Sequence, residues 1–305
     1  MIRIGSRGSQ LALWQANHIA ALLRGQGETV EIEVIRTTGD RLQEVTFAQV
    51  GSKGMFTLEI EEALAEGRID LAVHSLKDLP TELPAMFVLA ATPARVDPRD
   101  VLVSKDFQSF AELPAGAKVG TSSLRRRAQL KYLRPDLEYV EFRGNVDTRL
   151  RKLGEGQVAA IMLAAAGLDR LERTEWVRER LDPGMICPSA GQGALGIECR
   201  KGDGRVLSAI SFLDDAPTRF AVTAERVALA ALGGGCQVPI GIHCRTVSNG
   251  AEGEFEILGV VAAPEGDRVL RAQATGNIAE KLGEFVAAAL LEMGAAKLFE
   301  RVANS

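Results

Sequence analysis

Five short segments carry residue types suited to chemistry. In Gly5-Ser6-Arg7-Gly8-Ser9-Gln10, hydroxyls and a cation follow a glycine where a strand is expected to pass into a helix. Free N–H groups and the helix dipole make such a junction attractive to anions, although a tight turn with a cap explains it equally. Gly120-Thr121-Ser122-Ser123-Leu124-Arg125-Arg126-Arg127 repeats the pattern with three arginines in the first helical turn. Cations there oppose the dipole and repel one another, so a bound polyanion explains them better than helix stability does. Phe142-Arg143-Gly144-Asn145, followed by Arg149 and later Arg170, adds guanidinium forks at strand-end positions, suited to carboxylates. In His74-Ser75-Leu76-Lys77-Asp78-Leu79-Pro80, Asp78 is either a surface partner of Lys77 or a carboxylate that handles a proton or a cationic intermediate. In Gly233-Gly234-Gly235-Cys236-Gln237-Val238-Pro239, glycines expose a thiol with no histidine beside it. That favours covalent attachment over a cysteine–histidine dyad.

The elements that must position these residues follow from pattern. Strands are expected at 2–6, 30–36, 69–73 and 87–91, with helices at 9–24, capped by Ser9 and closed by Gly25, and at 56–66, closed by Gly67. That order implies a largely parallel α/β sheet. A second α/β unit is expected from strands at 117–120, 137–141 and 158–163 and helices at 122–133 and 146–153, with Arg170 ending a further strand and turn over 164–171. Pro-containing segments at 92–98 and 183–188 flank it, as two crossings between lobes would. The last third reads as a helix at 217–232, three strands at 240–245, 255–261 and 268–275, and closing helices, the first capped by Asn277. This is a small α+β domain.

Composition bounds the function. The 305 residues suggest two domains, or three smaller ones. With 46% apolar and 25% charged residues the chain is globular, and a net charge of −4 argues against a nucleic-acid binder. The longest apolar run, residues 158–168, is too short to span a bilayer, and the first residues lack a signal-peptide pattern. Four cysteines without a CxxC pair, and three histidines, imply no metal site and reduced thiols, hence a cytoplasmic protein.

Taken in order, IRIGSRGSQLALWQA, VGSKGMF, DLAVHSLKDLP, DPRD, VGTSSLRRRAQL, FRGNVDTRL, LAAAGLDRL, GQGALGIECR and AERVALAALGGGCQVPIG resemble the porphobilinogen deaminase (hydroxymethylbilane synthase) family over almost the whole chain. The resemblance implies two lobes like the type II periplasmic-binding-protein fold plus a small C-terminal α+β domain. The boundaries are 1–93 with 194–213, then 94–193, then 214–305. It implies a transferase that condenses four porphobilinogens head to tail, releasing ammonia each time, to give hydroxymethylbilane. The implied cofactor is a dipyrromethane, one per chain, joined to Cys236 by a thioether. It further implies that Asp78 is catalytic. Lys77, Ser75, Thr121, Ser123, Arg125, Arg126 and Arg143 would hold the cofactor, with Ser122 a supporting donor. Arg7, Ser9, Gln15, Arg149, Arg170, Lys53 and Phe56 would hold substrate. Arg127 is not assigned. Six linked rings carry twelve carboxylates, which is why the family needs so many cations. The implied partner is the small molecule porphobilinogen, with no nucleic acid, no membrane and a monomeric chain. Two positions depart from the family pattern: Gln49, where a lysine is common, and Gly233-Gly234, expected to loosen the loop before Cys236. A pure anion-binding receptor on the same two-lobed fold is the rival reading; it needs no cysteine and no added mass.

Overall fold

The computed structural model describes residues 1–37, 57–234, 238–247 and 253–303. Lys53, Phe56, Cys236 and Gln49 lie outside the described residues. The chain divides into two compact units, Met1–Val96 with Ala194–Arg219, and Asp97–Gly193 with Phe220–Ser305.

In the first unit, β1 (Ile2–Ser6) runs into α1 (Gln10–Gly25), followed by β2 (Val30–Val34), α2 (Leu58–Ala65), β3 (Leu71–Ser75) and β4 (Phe87–Ala91). The later segment returns as β10 (Leu195–Arg200) and α6 (Gly204–Ile210). Apolar residues at 16, 19, 20 and 23 give α1 one face, which packs on Ile2, Ile4, Leu71 and Val73. On the opposite face of the sheet, Ala72 meets Ile60, Ala63 and Leu64 of α2. Ser9 caps α1 as expected, its Oγ accepting from the Ala12 amide. The helix continues through Gly25, and it is Gly27 that takes the left-handed conformation after it.

Strand order in this sheet is β2-β1-β3-β10-β4. β1, β2 and β3 are parallel, whereas β10 is antiparallel to both of its neighbours. The sheet is therefore mixed rather than largely parallel. β10 comes back from residues 97–193 instead of closing a local β-α-β crossover, so the rule that makes such neighbours parallel does not bind it.

The second unit repeats the plan. It contains β5 (Asp100–Val103), β6 (Lys118–Gly120), α3 (Leu124–Leu133), β7 (Glu138–Val140), α4 (Val146–Gly154), β8 (Ala160–Ala164), α5 (Ala165–Arg170) and β9 (Val177–Arg180). The order is β7-β6-β8-β5-β9, with β6 parallel to β7 and β8, and β5 antiparallel to β8 and β9. Residues 165–170 form a helix, not the strand and turn expected. The apolar run 158–168 is a strand that passes directly into a helix, and its composition hides the junction.

The same unit also holds α7 from Phe220 onward (the helix spans Ala216–Ala231), β11 (Ile240–Thr246), β12 (Phe255–Ala262), β13 (Val269–Gly276), α8 (Ala279–Glu292) and α9 (Ala295–Ala303). The three strands form an antiparallel meander. Its core joins Ile242, Ile257 and Val261 to Ala224 and Ala228 of α7 and Val286 and Leu290 of α8. Asn277 does not cap α8; Ile278 occupies that position, without a side-chain bond. Buried Glu225 of α7 ties the meander to residues 184–193, accepting from the amides of Gly191 and Cys244, both at 2.7 Å. At the end of α7, Gly233 is left-handed (φ 64°), and the Gly233 and Gly234 amides return to the Ala230 and Leu229 carbonyls. This is a closed helix end. A Cβ on Gly234 would sit 2.6 Å from Ile240 Cδ1. The glycine pair expected to loosen the loop instead fixes its first residues.

Candidate active site

In the first unit the sequence-predicted residues gather where β1 and β3 end. A single pocket is lined by Arg7, Ser9, Gln15, Ser75 and Asp78, together with Thr57, Ile60 and His74. Parallel strands deliver their C-terminal ends, and the loops that follow them, to the same edge. β1 supplies the turn with Arg7 and the cap Ser9, and α1 supplies Gln15 one turn further on. β3 supplies Ser75 and then a 3₁₀ turn, Leu76–Asp78, that holds Leu76 inward and leaves Asp78 exposed. Gln15 Nε2 donates to Ser75 Oγ at 2.8 Å, locking the two elements together. Lys77 lies on the same turn, half-buried.

Under this pocket lies a pair that sequence reasoning missed. His74 Nε2 is 2.9 Å from Glu198 Oε2 across β3 and β10, both side chains buried. Glu198 Oε1 has no partner among the described residues. Nearby Glu61 is pushed above the usual carboxylate range, first by burial and then by the charge of Glu198. The signal was present: His74 and Glu198 both fall in quoted segments, but only strand pairing brings them together.

In the second unit the arginine-bearing segments gather at the ends of β6, β7 and β8. Ser123 caps α3, accepting from the Arg126 amide, and Ser122 Oγ donates to the Phe142 carbonyl at 2.8 Å. Thr121 is buried, and its Oγ1 accepts from the Ser123 amide at 3.2 Å. Gly120 must be glycine: a Cβ would lie 2.7 Å from Phe142 Cγ. Of the three consecutive arginines, Arg125 and Arg126 turn inward and are buried, whereas Arg127 is exposed.

The two buried arginines share one carboxylate. Asp100 Oδ2 accepts from Arg125 Nη1 at 2.7 Å, and Asp100 Oδ1 accepts from Arg126 Nε and Nη2 at 3.0 and 2.9 Å. Burial alone would push Asp100 up, but the two guanidinium charges outweigh it and hold the carboxyl well below its usual range. Burial, reinforced by the charge of Arg125, lowers Arg126 despite Asp100. Arg149 is pushed down to about 10, first by burial and then by the charge of Arg126. Its Nε donates to the Gly144 carbonyl at 2.7 Å, and no carboxylate lies within salt-bridge distance of it among the described residues. Arg170, buried at the end of α5, donates to the Gly193 carbonyl at 2.8 Å and is pushed down to about 10 by burial. Guanidinium groups stay charged at neutral pH, so at Arg126 and Arg149 these shifts register poorly compensated positive charge. Arg143, by contrast, pairs with Glu141 on the surface at 2.5 Å.

Arg125, Arg126 and Arg149 thus set three positive charges against one negative one. An acidic ligand fits that surplus, and a dipyrromethane, whose carboxylates accept hydrogen bonds, is a ligand of that kind. Arg125, Arg126, Ser123 and Thr121 are the residues here that could hold such a group. The attachment residue, Cys236, lies outside the described residues.

Comparison with known proteins agrees. Residues 2–208 match the family described as "Porphobilinogen deaminase, dipyromethane cofactor binding domain", and residues 219–292 match "Porphobilinogen deaminase, C-terminal domain". The porphobilinogen deaminase of Desulforudis audaxviator is 50% identical over 303 residues, covering 98% of this chain and 97% of that one. That of Syntrophobacter fumaroxidans is 47% identical over 306 residues, covering 99% and 98%. Among solved structures, an ABC transporter periplasmic substrate-binding protein from Coxiella burnetii has a TM-score of 0.44 at 17% identity, covering 72% of this chain and 94% of its own. A nutrient binding protein from Burkholderia cenocepacia bound to methionine has a TM-score of 0.41 at 14% identity, covering 69% and 90%. Likeness that distant carries no information on function. The family matches and the near-full-length identity establish that the chain belongs to the porphobilinogen deaminase family.

Proposed function

We propose that the two strand-end sites divide the work of the porphobilinogen deaminase reaction: the Asp78 pocket handles the reacting ring, and the arginine platform holds the carboxylates of cofactor and product. The chain's activity is that of its family, in tetrapyrrole biosynthesis, with a dipyrromethane cofactor. The finer reading is the head-to-tail condensation of four porphobilinogens to hydroxymethylbilane. The observation that carries the division is the unbalanced charge at Arg125, Arg126 and Arg149.

When bound, the dipyrromethane supplies the primer on which the product chain is built, through a thioether at Cys236. This chain's own residues do the rest. Arg7 and Ser9 receive an acidic side chain of porphobilinogen at the α1 N-terminus, where the cap, the dipole and the guanidinium all favour an anion. Gln15 and Ser75 fix the floor of the pocket. As the C–N bond of porphobilinogen breaks, its electron pair leaves with ammonia and the ring becomes cationic. Asp78 provides the opposing negative charge; once the free α-carbon of a second pyrrole has bonded to the methylene carbon that ammonia left, Asp78 accepts the α-proton that this second ring must lose to regain aromaticity. Arg149, Arg170 and Arg143 take successive carboxylates as the chain lengthens. Lys53 and Phe56 are proposed as further substrate contacts.

We further propose three domains at the boundaries given above, a monomer with no nucleic-acid or membrane partner, and a cytoplasmic location. Cys187, Cys199 and Cys244 are buried. The deciding experiment is intact-protein mass with acidified Ehrlich's reagent. Two extra linked pyrrole units and a coloured adduct are expected, both abolished in Cys236→Ser. A wild-type mass equal to the sequence mass would favour a receptor that only binds anions.

A further inference from the structure

We propose that Asp100 is a positioning residue for the cofactor's carboxylate site, holding Arg125 and Arg126 in place before any ligand arrives and leaving the pair one negative charge short. The inference rests on the cofactor reading above.

Asp100 opens β5 and is fully buried in the second unit. Both of its oxygens are committed. Besides the three arginine bonds, Oδ1 accepts from Gln192 Nε2 at 2.8 Å, and the same nitrogen lies 2.7 Å from the Pro98 carbonyl. Each arginine is steadied by a second, neutral partner. Arg125 Nε donates to Ser189 Oγ at 3.0 Å and its Nη1 to the Cys187 carbonyl, while Arg126 Nη1 donates to the Met162 carbonyl at 3.2 Å. Two buried guanidinium groups with no carboxylate would repel each other and lie desolvated. Two with a carboxylate each would have no charge left for a ligand. One carboxylate between two arginines meets both demands. It pre-orients the forks, so no side-chain entropy is lost on binding, and it leaves a net charge of one for the incoming acid. Asp100, Gln192, Ser189 and Pro98 come from the segments by which the chain enters and leaves residues 97–193. Those segments therefore help to build the anion site.

The test compares loading, not turnover. Wild type, Asp100→Asn, Gln192→Met and Asp97→Asn are purified, checked for fold by circular dichroism, and incubated with porphobilinogen, and the adduct-bearing fraction is followed by intact mass. Asp97 is a control: it is a depressed carboxylate of the same unit, but its partners are Arg99 and Arg180. Folded Asp100→Asn should load about tenfold or more slowly, the order of loss typical when the outer partner of a ligand is removed. Asp97→Asn should load as wild type does. Equal loading of Asp100→Asn and wild type overturns the inference, as does equal slowing in Asp97→Asn, which would mark a general loss of stability. If Asp100→Asn does not fold, Gln192→Met decides, since it keeps every charge: slowed loading supports the role and normal loading overturns it. An unloaded wild type would sink the cofactor reading itself, which is a separate failure.

Discussion

The two sheets share one strand plan and carry different side chains on it. In the first, the antiparallel strand β10 brings buried Glu198 to His74; in the second, β5 brings buried Asp100 to Arg125 and Arg126. After the third strand of each plan, β3 and β8, the chain turns helical. In the first unit that turn presents the carboxylate Asp78, in the second the cation Arg170. A common frame thus delivers side chains to corresponding places, and residue type alone decides whether the place suits a cationic ring or an acidic side chain. On the function proposed above, the difference separates the chemical step from the holding of charge.

Substitutions at Asp78 and Arg149 test that contrast most strongly. Asp78→Asn should cut turnover by about 10²–10⁴-fold, the range for loss of an acid–base group, while intact mass still shows the adduct. Near-normal turnover would remove the carboxylate from the chemistry and collapse the distinction. Arg149→Leu should weaken elongation by about 10–100-fold, as expected for a charge-assisted bond of about 1.5–3 kcal/mol, with shorter pyrrole intermediates accumulating on native gels. The same variant should melt at a higher temperature than wild type, because it removes a poorly compensated charge beside Arg126. A lower melting point would mean that the platform is not short of anions.

Smaller effects test the frame. Gly120→Ala should destabilise by about 1–3 kcal/mol, since its methyl meets the stiff Phe142 ring. Gly5→Ala, at the corresponding end of β1, meets the side chains of Ile69 and Ile35, most closely at their rotatable Cδ1 ends rather than at a ring, and should lose less in a denaturant titration. The smallest effect concerns acid. Burial would raise Asp97, but its bonds to Arg99 and Arg180 hold it at about 2, against 3.8 for the free group. The unfolded chain therefore takes up this proton first. Its contribution is fully present above about pH 4 and is lost as pH falls toward 2. Asp97→Asn should flatten that part of the acid unfolding curve followed by circular dichroism.

Much of this was legible in sequence, for identifiable reasons. Ser9, the strand Phe87–Ala91 and the helix starting at Val146 were legible because caps and periodicity act locally. β5, β9 and β10 were not assigned. Asp100–Val103 is four residues close behind a proline, and Val177–Arg180 is one valine followed by three charged residues, as in a surface loop. The proposed site residues stood out by type, since arginines in a first helical turn are out of place without an anion. Asp100 and Glu198 did not, because a buried acid is defined by partners 25 or more residues away.

The shared carboxylate at Asp100 also bears on which inherited changes the fold tolerates. Replacing either arginine by a neutral residue leaves a balanced pair, so such proteins should accumulate as folded but impaired molecules. Replacing the acid leaves two like charges cornered in the interior, and those chains should be cleared before they act. Variation at positions 125 and 126 would then surface as lost activity, and variation at position 100 as missing protein.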